Sequence, residues 1–244
     1  SSDLREKNIS THSGGKAELI YRGCFKDIDM AITTHAHMLP FDDYDFVLGN
    51  SACTGFIGKT AVFHGKAAHA AGAPHEGVNA MNAAALALSA LGMIRETFQE
   101  KDYIRVHPIK KEAGSAVNVV PDKAGLDMMV RAGNLKAVAE VSEKTDRAFR
   151  GAAYAIGAEV EITDVPGYLP VIERLPDKVM TEAAGLLGDS VKWTSITPGL
   201  ENMTSTDVGD LTHLMPVLNF TFGGFEGALH SKDFRLTDAE KAFV

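Results

Sequence analysis

Apolar residues recur at helical spacing in two long stretches of the chain. Val78, Met81, Ala85, Leu88, Leu91 and Phe98 form a stripe that predicts a helix over 78–99. Leu135, Val138, Val141, Thr145, Phe149, Ala152 and Ile156 predict a second over 135–156, with Gly157 as its stop. Around these stretches the period falls to two, the repeat of a strand. An extended segment at 56–64 precedes the first helix, alternating segments at 103–110 and 124–131 lie between the helices, and Glu159–Thr163 closes the series. The order β-α-β-β-α-β is the split, ferredoxin-like unit, in which two helices cover one face of a four-stranded antiparallel sheet. The other face is left for water or a partner.

The flanks follow a different grammar. Ser1–Ser13 is polar and unpatterned, and a short helix, KAELIYRG, then stops at Gly23. Asp29–Thr33 predicts a buried strand that ends in Thr34-His35-Ala36-His37. After Gly167 come a hinge-like PGYLP, a helix near 177–187, a polar irregular stretch at 193–202 and a short helix after TSTD. A buried strand at 216–222 and a Gly-rich loop carrying His230 complete the chain. Helices alternating with buried strands indicate an α/β domain. Each flank offers only one or two strands, too few for a stable sheet, so either the flanks join or strands lie upstream. The expected organisation is an α/β domain in two parts, 1–54 and 167–244, interrupted by an α+β unit at 55–166.

Composition narrows the partners rather than the fold. The 244 residues are 45% hydrophobic and 23% charged, ordinary for a globular protein. A formal charge of −8 without a Lys/Arg run argues against nucleic acid and anionic membranes. No apolar run approaches the ~20 residues that span a bilayer, and no signal peptide opens the sequence. Cys24 and Cys53 form neither a CxxC pair nor a disulfide framework, so a reducing, cytoplasmic setting is expected.

The candidate chemistry rests on histidines at strand ends. His35 and His37 follow one strand and His230 another, and imidazole is the commonest neutral metal ligand. The same positions suit surface histidines, so spacing alone leaves both readings open. His69 lies in GKAAHAAG, whose small residues permit either a tight turn or the close approach of a ligand. Asn118, between valines, needs a backbone or ligand partner if it is buried. Arg131 closes a strand, and its fork suits a carboxylate. Asp207 or Asp210 fits a helix cap. The chain has no GxGxxG, GxxxxGK[ST] or GxSxG, which argues against nucleotide binding and nucleophile-elbow hydrolysis.

Five strings occur in order: GKAAHAAGAPHEGVNAMNAA, IRVHPIKKEAGSAVNVVPD, VRA, STDVGDLTHLMP and ALHSKDF. Together they resemble the dinuclear-metal amidohydrolases and metallopeptidases that include aminoacylases, p-aminobenzoyl-glutamate hydrolases and indole-acetyl-amino-acid hydrolases. The resemblance runs from Gly14 onward. It implies a catalytic domain holding two divalent metals, zinc, manganese or cobalt, and an inserted ferredoxin-like lid through which a homodimer forms. The implied reaction is hydrolysis of the amide bond of N-acyl amino acids or small peptides by metal-activated water. His35, six positions after Asp29, matches a metal ligand in preference to His37, and His230 matches the late ligand. His69 matches the lid histidine that reaches the substrate's oxyanion, often across the dimer. Asn118 and Arg131 match lid positions that hold the substrate's carboxylate or amide. The family's early His-x-Asp, its bridging Asp or Cys and its Glu-Glu pair have no counterpart here. Ser1–Ser13 is therefore expected to follow the missing pair, in a chain incomplete at its N-terminus. The alternative is an inactive fragment or homologue that serves as a dimerising or small-molecule-binding module.

Overall fold

The computed structural model describes residues 14–36, 44–49, 53–174, 177–186, 188, 191–195, 204–228 and 231–242. They fall into two compact units: an outer one from Gly14–Cys53 with Val171–Val244, and a central one from Thr54–Pro170. Among the described residues no helix is long and apolar enough to cross a membrane.

The outer unit opens with helix α1 (Gly15–Tyr21) and strands β1 (Ala31–Ala36) and β2 (Phe46–Leu48). Helix α1 ends where Gly23 takes a positive φ of 74° and its N–H reaches back to the Ile20 carbonyl.

The central unit runs β3 (Gly55–His64), α2 (Ala80–Ile94), β4 (Arg105–Ala113), β5 (Lys123–Ala132), α3 (Leu135–Ile156) and β6 (Glu159–Pro166). Its sheet has the order β4-β5-β3-β6, and every neighbouring pair is antiparallel. Alternate residues of β5, from Ala124 through Leu126, Met128 and Val130 to Ala132, are buried in the core with Ala61 and Phe63 of β3. Both helices close this face, packing against each other and on β3 and β5. Helix α3 follows the predicted bounds because both ends are capped. The Asn134 side chain accepts from the Ala137 N–H at 2.8 Å, and Gly157 at φ 76° returns the chain toward the Ala153 and Tyr154 carbonyls.

Helix α2 departs from expectation in two ways. It ends at Ile94 and passes into short 3₁₀ turns at Arg95–Thr97 and Glu100–Asp102. The Thr97 hydroxyl donates to the Ile94 carbonyl, and the Arg95 guanidinium donates to the Val106 carbonyl. Its buried side shares Leu91 with the predicted stripe, and Leu88 and Phe98 pack against the core, but the centre of that side is Ala80, Ala83, Ala84 and Ala87, while Ala85 is exposed. Small alanines allow the helix backbone to lie close to the sheet, so here closeness outweighs side-chain size. The core face carries one charge. Lys59 is buried, 2.7 Å from Asp146 of α3 and paired also with Asp164, its register neighbour on β6. An ammonium out of water needs such partners.

The outer unit resumes with α4 (Asp177–Gly185), β7 (Trp193–Ser195), α5 (Val208–Thr212) and β8 (Val217–Phe222). A small hairpin of β9 (Phe225–Glu226) and β10 (Arg235–Leu236) and helix α6 (Ala239–Ala242) follow. Strands from both flanks join in one mixed sheet, β1-β8-β2-β7. Strand β8 serves two cores. Val217 packs with Val208, Leu211 and Met215, while Leu218, Phe220 and Phe222 pack toward Phe46, Leu48 and Trp193. The expected buried strand at 29–33 lies instead at 31–36, on the edge of this sheet, and Ile32 is 64% exposed. Strands β2 and β7 were not foreseen, since three residues are too few to show a period.

Phe149 is wholly buried, its ring 6.0 Å from that of Phe63. Phe149→Ala is expected to cost about 3–5 kcal/mol in chemical denaturation. Tyr154→Ala, on the same helix but 89% exposed, should stay within about 0.5 kcal/mol of the parent. Equal effects from the two changes would contradict this packing.

Candidate functional site

Residues 65–78 leave the end of β3 as an excursion that is tied down along its length. Gly65 donates to the Asp122 carbonyl at 2.7 Å, and a Cβ at Gly65 would stand 2.1 Å from the Val78 carbonyl oxygen. Only glycine lets the two backbones meet there. Lys66 and Val78 exchange N–H···O bonds of 2.9 Å. Beyond them the Val120 N–H donates to the Ala68 carbonyl and the Ala70 N–H to the Asn118 carbonyl, both at 2.9 Å. His69 and Asn118 therefore sit on paired segments, with His69 bridged to Val119.

Both side chains are exposed. The Ala71 and Gly72 N–H groups donate to His69 Nδ1 at 3.2 and 2.9 Å, and Nε2 has no partner among the described residues. Asn118 is not buried between its valine neighbours, because Val117 is fully exposed and Val119 is 36% exposed. No desolvation penalty forces a partner on it, and its side-chain amide is unengaged among the described residues.

Arg131 lies elsewhere on the same sheet. It pairs in register with Phe56 near the start of β3, whereas Lys123, close to the Asn118 segment, pairs with His64 at the end of β3. Eight strand residues separate Lys123 from Arg131, about 27 Å at the usual rise. The structure thus joins His69 with Asn118 and sets Arg131 at the opposite end. Its guanidinium stands 5.0 Å over the Phe56 ring and donates to Met129 Sδ at 3.0 Å. Burial pulls its pKa below the ordinary arginine value, yet guanidinium keeps its charge in proteins.

In the outer unit His35 is an exposed residue of β1, in register with Thr221 of β8. The side-chain oxygens of Thr221 and Asn219 are buried without a hydrogen-bond partner among the described residues. Such oxygens could accept from the second nitrogen of a metal-bound imidazole. Among the described residues, however, no three His, Cys, Asp or Glu side chains are grouped to hold a metal. His37 and His230 lie outside the described residues. Asp207 makes no helix-cap bond at the start of α5 and instead accepts from the Lys16 ammonium at 2.6 Å.

Two sets of groups escaped the sequence reading. The polar residues of β8 left a trace, since Asn219 and Thr221 alternate with Leu218, Phe220 and Phe222. The Ala71 and Gly72 N–H groups left none, because a backbone donor has no letter of its own.

Residues 52–156 match the peptidase dimerisation domain family, M20_dimer. The chain is 30% identical over 234 residues to an Xaa-Arg dipeptidase of Mus musculus, covering 91% of this chain and 50% of that one. It is 29% identical over 185 residues to a component of the p-aminobenzoyl-glutamate hydrolase of Escherichia coli, covering 74% and 36%. A solved dinuclear metal-binding peptidase of the M20 family from Bacillus subtilis superposes with a TM-score of 0.69 at 19% identity, over 93% of this chain and 57% of that one. The chain spans half the length of the mouse dipeptidase and about a third of the Escherichia coli hydrolase chain. It is a homologue of the M20 peptidases and amidohydrolases, and its central unit carries their dimerisation domain.

Proposed function

We propose that the whole protein hydrolyses the amide bond of an N-acyl amino acid or small peptide. One observation carries the reading: His69 and Asn118 are presented together on tied-down segments with Nε2 and the amide unengaged. Polar groups held so firmly and left without partners suit a substrate. His69 would donate a hydrogen bond to the amide oxygen as charge develops there, and Asn118 would orient the same amide. Arg131 would pair with the free carboxylate of the amino-acid half. An Xaa-Arg dipeptide and an aminobenzoyl-glutamate both end in such a carboxylate. Divalent ions such as zinc, manganese or cobalt would supply the water-activating chemistry in the whole protein, with His35 and His230 among their ligands. Two cysteines with no disulfide are in keeping with a reducing, cytoplasmic setting.

A single central unit does not fit this assignment. An amide and its adjoining carboxylate lie within a few ångströms, whereas His69 and Arg131 stand at opposite ends of β5. Two copies resolve the conflict: His69 and Asn118 serve the site at which a partner's Arg131 binds the carboxylate. The surface of the central unit suits a second copy. Helix α2 has no charged residue over 80–94, although Asn82, Ala85, Leu86, Ser89, Gly92 and Met93 are exposed. The outer face of α3 carries Lys136, Glu140, Glu143, Arg147 and Arg150. Helix α2 packs on β4, the edge strand, which α3 does not share as a principal neighbour. The uncharged helix and the open edge make one continuous docking side.

In the full-length protein, His69→Ala is expected to lower kcat about 10²–10³-fold while bound metal stays the same. Undiminished turnover on a dipeptide substrate would remove His69 from the reaction. The double change Leu86→Glu with Met93→Glu should convert the dimer to a monomer in sedimentation. An unchanged dimer would place the interface elsewhere.

A further inference from the structure

His69 is held by the turn that follows it. Its Nδ1 faces the N–H groups of Ala71 and Gly72, and its carbonyl accepts from the Ala73 N–H at 3.0 Å. This is the geometry of a helix N-cap applied to a single turn. The side chain accepts from the second and third N–H groups, and the carbonyl accepts the first helical bond. A nitrogen that accepts two N–H groups carries no proton, so a neutral imidazole here bears its proton on Nε2. That nitrogen has no bond among the described residues, and the residue is exposed.

The cap by itself does not call for imidazole. Asn, Asp and Ser are the preferred N-caps because their short side chains reach the same N–H groups. Histidine adds one thing that they lack, an N–H on the far side of the ring.

We propose that the turn 70–73 sets the chemistry of His69, with the Ala71 and Gly72 N–H groups as positioning groups that hold the ring as a neutral Nε2–H donor. Its ligand is the oxygen of a substrate amide. The ring donates a hydrogen bond and transfers no proton: Nε2 already carries its proton, and Nδ1 is engaged by the backbone. The inference rests on the role proposed above for His69, but the tautomer can be read without turnover.

The test combines spectroscopy with two substitutions in the full-length protein. In ¹⁵N-histidine-labelled protein at neutral pH, long-range ¹H–¹⁵N spectra should show a protonated Nε2 and an unprotonated Nδ1 for His69. The reverse tautomer, or an averaged mixture, would overturn the proposal. His69→Asn preserves a capping oxygen and removes the far donor. Its Tm should match the parent while kcat falls as far as in His69→Ala, which should also melt about 2–4 °C lower. An Asn variant that melts with the Ala variant, or one that keeps its turnover while the Ala variant loses it, would also overturn the proposal. If both variants keep full turnover while the Nε2–H tautomer and the Asn cap are observed, the turn's hold on the ring stands and the catalytic role proposed for His69 fails.

Discussion

The ladder between β3 and β5 is the constraint on which the rest of the central unit depends. Ten register pairs run from Gly55 with Ala132 to His64 with Lys123. One face of this ladder buries Phe63, Leu126 and Val130 beneath the two helices. Its far end launches the 65–78 excursion and receives the 118–122 segment that ties it down. Its near end carries Arg131 over Phe56. Because the side-chain period of a strand is two, a slip of one residue would turn the core face outward. The hydrophobic pattern therefore fixes the separation between the His69 end and the Arg131 end. The proposed function inherits a length that packing determines.

That separation makes the dimer part of the proposed chemistry rather than an accessory to it. Groups proposed to handle one substrate but set beyond opposite ends of β5, whose span from Lys123 to Arg131 is about 27 Å, cannot both reach a small amide within one chain. They can when two chains exchange ends. The uncharged face of α2 beside the edge strand β4 supplies a surface for that exchange. The outer face of α3, by contrast, is charged and exposed, where water satisfies it.

Much of the central unit was legible in the sequence because its elements are long enough to show their period. Helix α3 is the clearest case: Asn134 and Gly157 mark its ends, and its apolar face runs from Val138 to Ala153. In helix α2 the stripe places Leu88, Leu91 and Phe98 in the core but misses Ala80, Ala83, Ala84 and Ala87, since alanines score weakly in a hydrophobic pattern. In the outer unit β2 and β7 were invisible because a three-residue strand needs its neighbours to define it. His69, Asn118 and Arg131 could be named from resemblance, but their division between two ends of a sheet is a property of register, which one-dimensional spacing does not carry. The valines beside Asn118 left its burial open, and the exposure of Val117 shows that an apolar run can lie on a loop.

The most direct measurement mixes two inactive forms of the full-length protein, His69→Ala and Arg131→Met, and allows their protomers to exchange. A mixed dimer then holds one site with both an intact His69 and an intact Arg131, contributed by different chains. Random exchange should restore about a quarter of the parent's activity, because half of the dimers are mixed and each has one whole site. If native mass spectrometry shows mixed dimers and the solution stays inactive, the two residues do not act on one substrate from different chains, and the account of a shared site is wrong.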